Sequence, residues 1–267
     1  MKLPKITTKQ QDILKLLYRY RFLNRIQIQK LMGHKNKMRT IVWLKDLRDK
    51  GYIEWIYSTD FAEKTKPAIY YLGLNGVRYL RSTHDYPLDE VRKRYRESAR
   101  KQLFIDRSLL IADCCITLRD QCSDTVTYTT VTQADFVSPK NPYHFLGDSD
   151  LIKPQLCYIK QSDSPEGPTT KSYLLEVFDT TLPIYSLRKR LKSYQRYLAY
   201  GDWQHYKKGE QPLTILLVLP TLPAMIYAKR RTRMLVKQFT GKKNTHIKFT
   251  TAEELKQHGV TAAIWEA

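Results

Sequence analysis

Apolar positions return at two different spacings along this chain. In "TKQQDILKLLYRY", Ile13, Leu16, Leu17 and Tyr20 recur at helical spacing, and Thr7 or Thr8 stands where an N-cap belongs. A shorter helix starts at Asn24, runs through "RIQIQKLM" and closes at Gly33. A third lies in "KNKMRTIVWLKDLRDK" and stops at Gly51. The spacing then drops to two in "GYIEWIYS" and "AIYYLGL", which flank the polar tip "TDFAEKTKP", and a helix follows in "NGVRYLRS". Residues 88–121 read as one long helix, charged in its first half and apolar from Leu103. Beyond it, short apolar strands at 125–131, 155–160, 172–178, 213–219 and 246–251 alternate with helices at 186–200 and 224–239. The strands at 155–160 and 172–178, on either side of "SDSPEGPTT", read as a hairpin. The pattern predicts an α+β or α/β chain of two domains, 1–84 and 85–267, with turn chemistry in "STHDYPLD" at their boundary.

Helix, short helix, helix, two-stranded hairpin, helix is the order of a winged helix-turn-helix, and residues 6–82 resemble one. The run Leu44, Leu47, Lys50, Gly51 is similar to the end of the recognition helix in many such domains. Helical spacing puts Ile41, Leu44 and Leu47 inward, and Asn36, Arg39, Thr40 and Trp43 on another face near the N-terminal end. In helix-turn-helix docking that part of the second helix enters the major groove. Arg39 there would reach guanine and Asn36 adenine, each worth roughly 1–3 kcal/mol of discrimination. Lys35, Lys37, Lys45, Lys64 and Lys66 are expected at phosphates. Trp43 serves equally well as a packing residue.

Charge strengthens that picture. The 267 residues carry 46 Lys and Arg against 26 Asp and Glu, a net +20, which favours a polyanionic partner. The excess is uneven: residues 1–101 hold 24 of the cations and 10 of the anions. The partner is therefore expected mainly at the N-terminal part, with double-stranded DNA the leading candidate. The basic run "RKRYRESARK" reads as a solvated helix face that could also meet phosphates.

Within the second domain, "IKPQL" (152–156), "YLLEVFD" (173–179) and "LRKRLKSYQRY" (187–197) resemble the motifs of the replication-relaxation proteins of plasmids and other mobile elements. Those proteins carry an N-terminal winged helix and a PD-(D/E)xK-like, restriction-endonuclease-like C-terminal domain. The resemblance implies carboxylates on neighbouring strands that hold Mg²⁺ or Mn²⁺, with a lysine that stabilises charge. This chain departs from it twice: Gln155 follows Pro154 where the family usually has Asp, and Phe178 stands where an active site would carry Lys. Asp150, Glu176 and Lys192 are the candidate catalytic set, and Asp150, Glu176 and Asp179 the candidate metal ligands. The plainer reading of Glu176 is a strand-end carboxylate paired with Arg188 or Lys189.

Other chemistries find little support. Cys114, Cys115, Cys122 and Cys157 have no metal-site spacing and suit a reducing compartment. The six His are scattered, so a covalent tyrosine mechanism lacks its usual metal cluster, and no phosphate-binding glycine loop is present. No signal-peptide-like or membrane-spanning run is found. The expectation is a cytoplasmic, sequence-specific DNA-binding protein of a mobile element, with a degenerate nuclease-like domain. It would act in replication, relaxation or transfer, beside replication or transfer proteins and without a membrane. Two alternatives stay open: a metal-dependent nicking enzyme, and a dimeric winged-helix transcriptional regulator.

Overall fold

The computed structural model describes residues 3–58, 60, 65–138, 140–150, 152–164, 167–200, 203, 213–239 and 246–267. The chain is mixed α and β, with one sheet in each of two compact units, Met1–Ile116 and Thr117–Ala267. No helix among the described residues is long and apolar enough to cross a membrane.

The first unit opens with α1 (Thr8–Tyr20), held by a capping box in which Thr7 and Gln10 satisfy each other's backbone N–H groups. Asn24 and Gln27 repeat that device at the start of α2 (Arg25–Leu31). Between them the two-residue strand β1 (Leu23–Asn24) joins the sheet. Helix α3 (Lys37–Asp49) ends at Gly51, whose φ of 69° is the left-handed turn that sends the chain into β2 (Ile53–Ile56). Strand β3 (Ile69–Leu72) pairs antiparallel with both, in the order β1-β3-β2. Helix α4 (Leu74–Thr83) approaches so closely that a Cβ on Gly76 would lie 2.2 Å from the Tyr52 carbonyl. Ile13, Leu14, Leu17, Leu44, Leu47 and Ile53 form the buried core between these elements.

The single helix expected over 88–121 is three pieces: α5 (Leu88–Lys93), a 3₁₀ segment (Arg94–Ala99) and α6 (Gln102–Asp120). The break falls in the basic run, where the 3₁₀ segment brings Arg94 and Glu97, three residues apart, to one side, and the chain turns extended at Arg100. Glu97 is buried and accepts a two-pronged bond from Arg21 at 2.8 and 2.9 Å, with Arg94 and Arg100 at 3.9 and 3.6 Å. Arg94 is itself buried. Part of the run read as a solvated face is thus an interior ion cluster, and Arg94 is not available to phosphates. The start of α6 packs on the same unit: Phe104 and Ile105 join Phe22 and Tyr71, and Gln27 donates to the Leu109 carbonyl and to Asp113.

The second unit is built on a five-stranded sheet of order β4-β5-β6-β7-β8: β4 (Val126–Thr132), β5 (Leu156–Ser164), β6 (Gly167–Val177), β7 (Thr214–Leu219) and β8 (Ile247–Thr251). β4, β5 and β6 run antiparallel, and β6, β7 and β8 parallel. All five expected strands are present, and β5 and β6 form the expected hairpin, pairing from Leu156↔Leu175 to Ser164↔Gly167. Short helices α7 (Gln133–Phe136) and α8 (Phe145–Asp148) precede β5. Helices α9 (Ile184–Tyr200) and α10 (Leu222–Phe239) make the parallel crossovers, as such connections require, and α11 (Ala252–His258) follows β8. Leu187, Leu191, Tyr194, Met225, Ala228 and Leu235 from α9 and α10 share one core with Leu174, Ile215 and Leu217 of the sheet.

Candidate functional site

Two places carry candidate residues, one in each unit. On α3, Asn36 is the N-cap, and its side-chain oxygen accepts from the Arg39 N–H at 3.1 Å. The side chain expected to pair with adenine is therefore committed to ending the helix. Thr40 is fully buried, with its hydroxyl 3.5 Å from the Asn36 carbonyl, so it does not face outward. The inward stripe is Thr40, Leu44 and Leu47, and Ile41 lies at its edge. A short polar side chain that bonds back to its own helix fits a core stripe, which polarity alone does not reveal.

The outward face that remains is basic and partly apolar. Lys35, Lys37, Arg39 and Lys45 are exposed, and Met38 and Val42 are 63% and 60% exposed among them. Those two apolar residues escaped the sequence reading, although they sit at i and i+4. Trp43 is half-buried, edge-on to His34 with ring centroids 4.9 Å apart, so it packs rather than projects. Further along, Arg48 lies 4.1 Å over the Trp55 ring, and Trp55 stacks with Tyr57 on the hairpin. The helix's acids are engaged: Asp46 accepts from Gln10 at 2.6 Å and Lys50 at 2.7 Å, and Asp49 lies 3.6 Å from Arg48. Lys66 is exposed near the hairpin tip, and Lys64 lies outside the described residues.

In the second unit, Leu174 and Glu176 point to one face of β6 because strand side chains alternate. That face meets α9, and Glu176 is buried there. A buried carboxylate needs partners. Glu176 has Arg190 at 3.2 Å and accepts a short hydrogen bond from the Tyr194 hydroxyl. Arg190 and Tyr194 are one helical turn apart on α9. Burial first, then the Glu176 charge, push the Tyr194 phenol well above its ordinary pKa, so it stays protonated and donates. The partner is Arg190, next in sequence to the Arg188 and Lys189 considered for that role.

The remaining candidates lie on three other segments. Asp150 is exposed, Asp179 accepts from the N–H and hydroxyl of Thr181, and Lys192 is on the exposed side of α9. At the start of β5 the Gln155 side-chain oxygen accepts from the Val177 N–H at 2.6 Å, and the Gln155 backbone N–H donates to the Leu175 carbonyl at 3.0 Å. Among the described residues, no three His, Cys, Asp or Glu side chains gather as a metal site would require. The donor set as it stands does not fit a divalent cation: one carboxylate is bound by an arginine and a phenol, and the amide oxygen beside it is taken up by backbone.

Residues 14–213 match the family model described as replication-relaxation. The chain belongs to the replication-relaxation family. Membership points to replication or relaxation as the process it serves. No curated protein and no solved structure matches the chain. Both candidate regions fall inside the matched span. In this replication-relaxation chain Gln155, read as standing where an aspartate is usual, extends the β5–β6 ladder with its side chain.

Proposed function

We propose that the chain is a sequence-specific double-stranded-DNA-binding protein of a plasmid or other mobile element. In this reading the first unit is a winged helix, α3 enters the major groove, and the β2–β3 hairpin is its wing. The outward face of α3 carries the reading: Lys37, Arg39 and Lys45 are exposed around Met38 and Val42, and the acids of the helix are engaged elsewhere. Arg39 suits a bidentate contact to guanine, Met38 and Val42 suit thymine methyl groups, and the lysines suit phosphates. Asn36 acts by setting the helix start, and Thr40 and Trp43 by holding the helix in place. The second unit is nuclease-like, with Glu176 serving structure through Arg190 and Tyr194.

DNA flanking the gene, tested by mobility shift with Arg39→Ala and Lys37→Ala/Lys45→Ala, checks the reading. Arg39→Ala is expected to cost about 1–3 kcal/mol at one position of the site and relax its sequence preference. The lysine pair is expected to weaken all sequences alike and lower the salt slope by about two. Unchanged affinity and slope in both variants would sink it. Supercoiled plasmid with Mg²⁺ or Mn²⁺ is expected to stay intact; nicking that EDTA and Glu176→Ala both abolish would make the chain an enzyme instead.

A further inference from the structure

Helix α9 presents a line of exposed side chains that the reading above leaves without a role. Tyr185, Lys189, Lys192, Arg196 and Tyr200 stand at i, i+4, i+7, i+11 and i+15, along one side of the helix. At 1.5 Å per residue the line is about 22 Å long. The tyrosines at its two ends are 72% and 79% exposed. The opposite side of α9 is the one occupied by Leu187, Leu191, Tyr194 and Tyr197 in the core. Helix α10, packed beside α9, adds exposed Arg230 and Arg233.

What sets this surface apart from an ordinary solvated face is the absence of acids. Of the 21 Lys and Arg residues in Thr117–Ala267, ten stand on α9 and α10, and none of the 14 Asp and Glu does. Lys189, Lys192, Arg196, Arg230 and Arg233 form no ion pair with a described residue. Like charges at Arg188–Lys192 and Lys192–Arg196 are i, i+4 neighbours, a spacing that disfavours the helix unless an anion lies between them. A solvated basic helix ordinarily relieves that repulsion with Glu or Asp one turn away.

We infer that the outer face of α9 and α10 is a second DNA-contacting surface, which takes the phosphodiester backbone along the Lys189–Lys192–Arg196 line. It rests on the DNA-binding reading but on different residues, in the other unit. The partner is a nucleic-acid backbone because the cations form a line, which suits a regular row of phosphates, and because exposed tyrosines at its ends offer faces for bases. Lys192, a candidate for the catalytic lysine in the sequence, belongs to this line.

The test is the triple variant Lys189→Gln/Lys192→Gln/Arg196→Gln in the full chain, assayed beside Arg39→Ala. Binding to a non-specific duplex and to a single strand of the same length is followed from 50 to 200 mM NaCl, with circular dichroism to confirm folding. The triple variant should bind about tenfold or more weaker at low salt and lower the salt slope by about two to three. A loss confined to the single strand assigns the surface to unpaired DNA, and a loss on both assigns it to the backbone of either. An unchanged slope on both, in a folded variant, overturns the inference. If Arg39→Ala and Lys37→Ala/Lys45→Ala both leave binding to the flanking DNA unchanged while the triple variant loses its slope, the α3 reading fails and this one stands.

Discussion

Each unit of the chain buries a glutamate, and the two are held in opposite ways. Glu97 is 1% exposed and lies among three guanidinium groups, those of Arg21, Arg94 and Arg100. Glu176 is 4% exposed and has the Arg190 guanidinium and the Tyr194 phenol among its partners. Around Glu97 the cations outnumber the anion, so the carboxylate is what allows arginine to be buried at all. Arg94 shows the strain of that arrangement: burial first, and then Arg21 beside it, lower its pKa, while Glu97 opposes the shift. Around Glu176 the Arg190 charge is joined by a protonated phenol, which donates a hydrogen bond. Burial of a carboxylate at a strand end is thus no signature of metal chemistry by itself; the partners decide. Only Glu176 sits in a motif, yet Glu97 is the more deeply buried of the two.

The largest effect should come from Glu97→Ala. Removing it leaves three positive charges without their anion, two of them with little access to water, and breaking a buried pair in this way costs about 3–5 kcal/mol. Hydrogen exchange read separately on peptides from the two units is the fitting measurement, since two units need not unfold together. Protection should fall across residues 3–116 and stay near normal beyond 117. A loss under about 1 kcal/mol would mean that the cluster is solvated and that the contrast with Glu176 is empty.

Glu176→Ala should cost less, about 2 kcal/mol, and only in the second unit. Its cation Arg190 is 29% exposed and can regain water, whereas Arg94 at 4% cannot. Tyr194→Phe should cost less again, about 1–2 kcal/mol, by removing one hydrogen bond to a charged acceptor. If instead Glu176→Ala leaves stability unchanged or raises it, the carboxylate is retained for something other than packing, and the nicking assay becomes the decisive one.

The helices α1 to α4, α9 and α10, the strands β2 and β3 and the five strands of the larger sheet were legible because apolar spacing and caps act locally. All five strands of the larger sheet, the capping role of Thr7 and the Gly51 turn follow from neighbours in sequence. What stayed hidden depends on distant partners. At the break in the helix at 94–101, Glu97 meets Arg21, 76 residues away, and nothing near the run announces that partner. Thr40 looks like a surface residue until the rest of the core closes over it. Glu176 was found by motif, but its partners were misplaced by one or two positions, because helical phase on α9 decides whether 188, 189 or 190 faces the strand. The same phase moves Lys192 outward.

The smallest effect sharpens the comparison from the exposed end. Asp46 accepts from Lys50 and Gln10 at the surface, and the Lys50 hydrogen bond, followed by the one from Gln10, holds its carboxyl below the ordinary value. A depressed carboxylate stabilises the folded state above its unfolded pKa of about 3.9 and loses that contribution as pH falls through the lower folded value. Asp46→Asn should therefore cost only about 0.5 kcal/mol at pH 7, since its side chain is 41% exposed and the pair is screened. The difference between wild type and variant should be flat above pH 5 and shrink as pH falls below 4. Urea midpoints of the first unit across that range give the answer. A gap that persists at pH 3, or one as large as that of Glu97→Ala, would show that exposure does not separate the surface carboxylate from the buried ones.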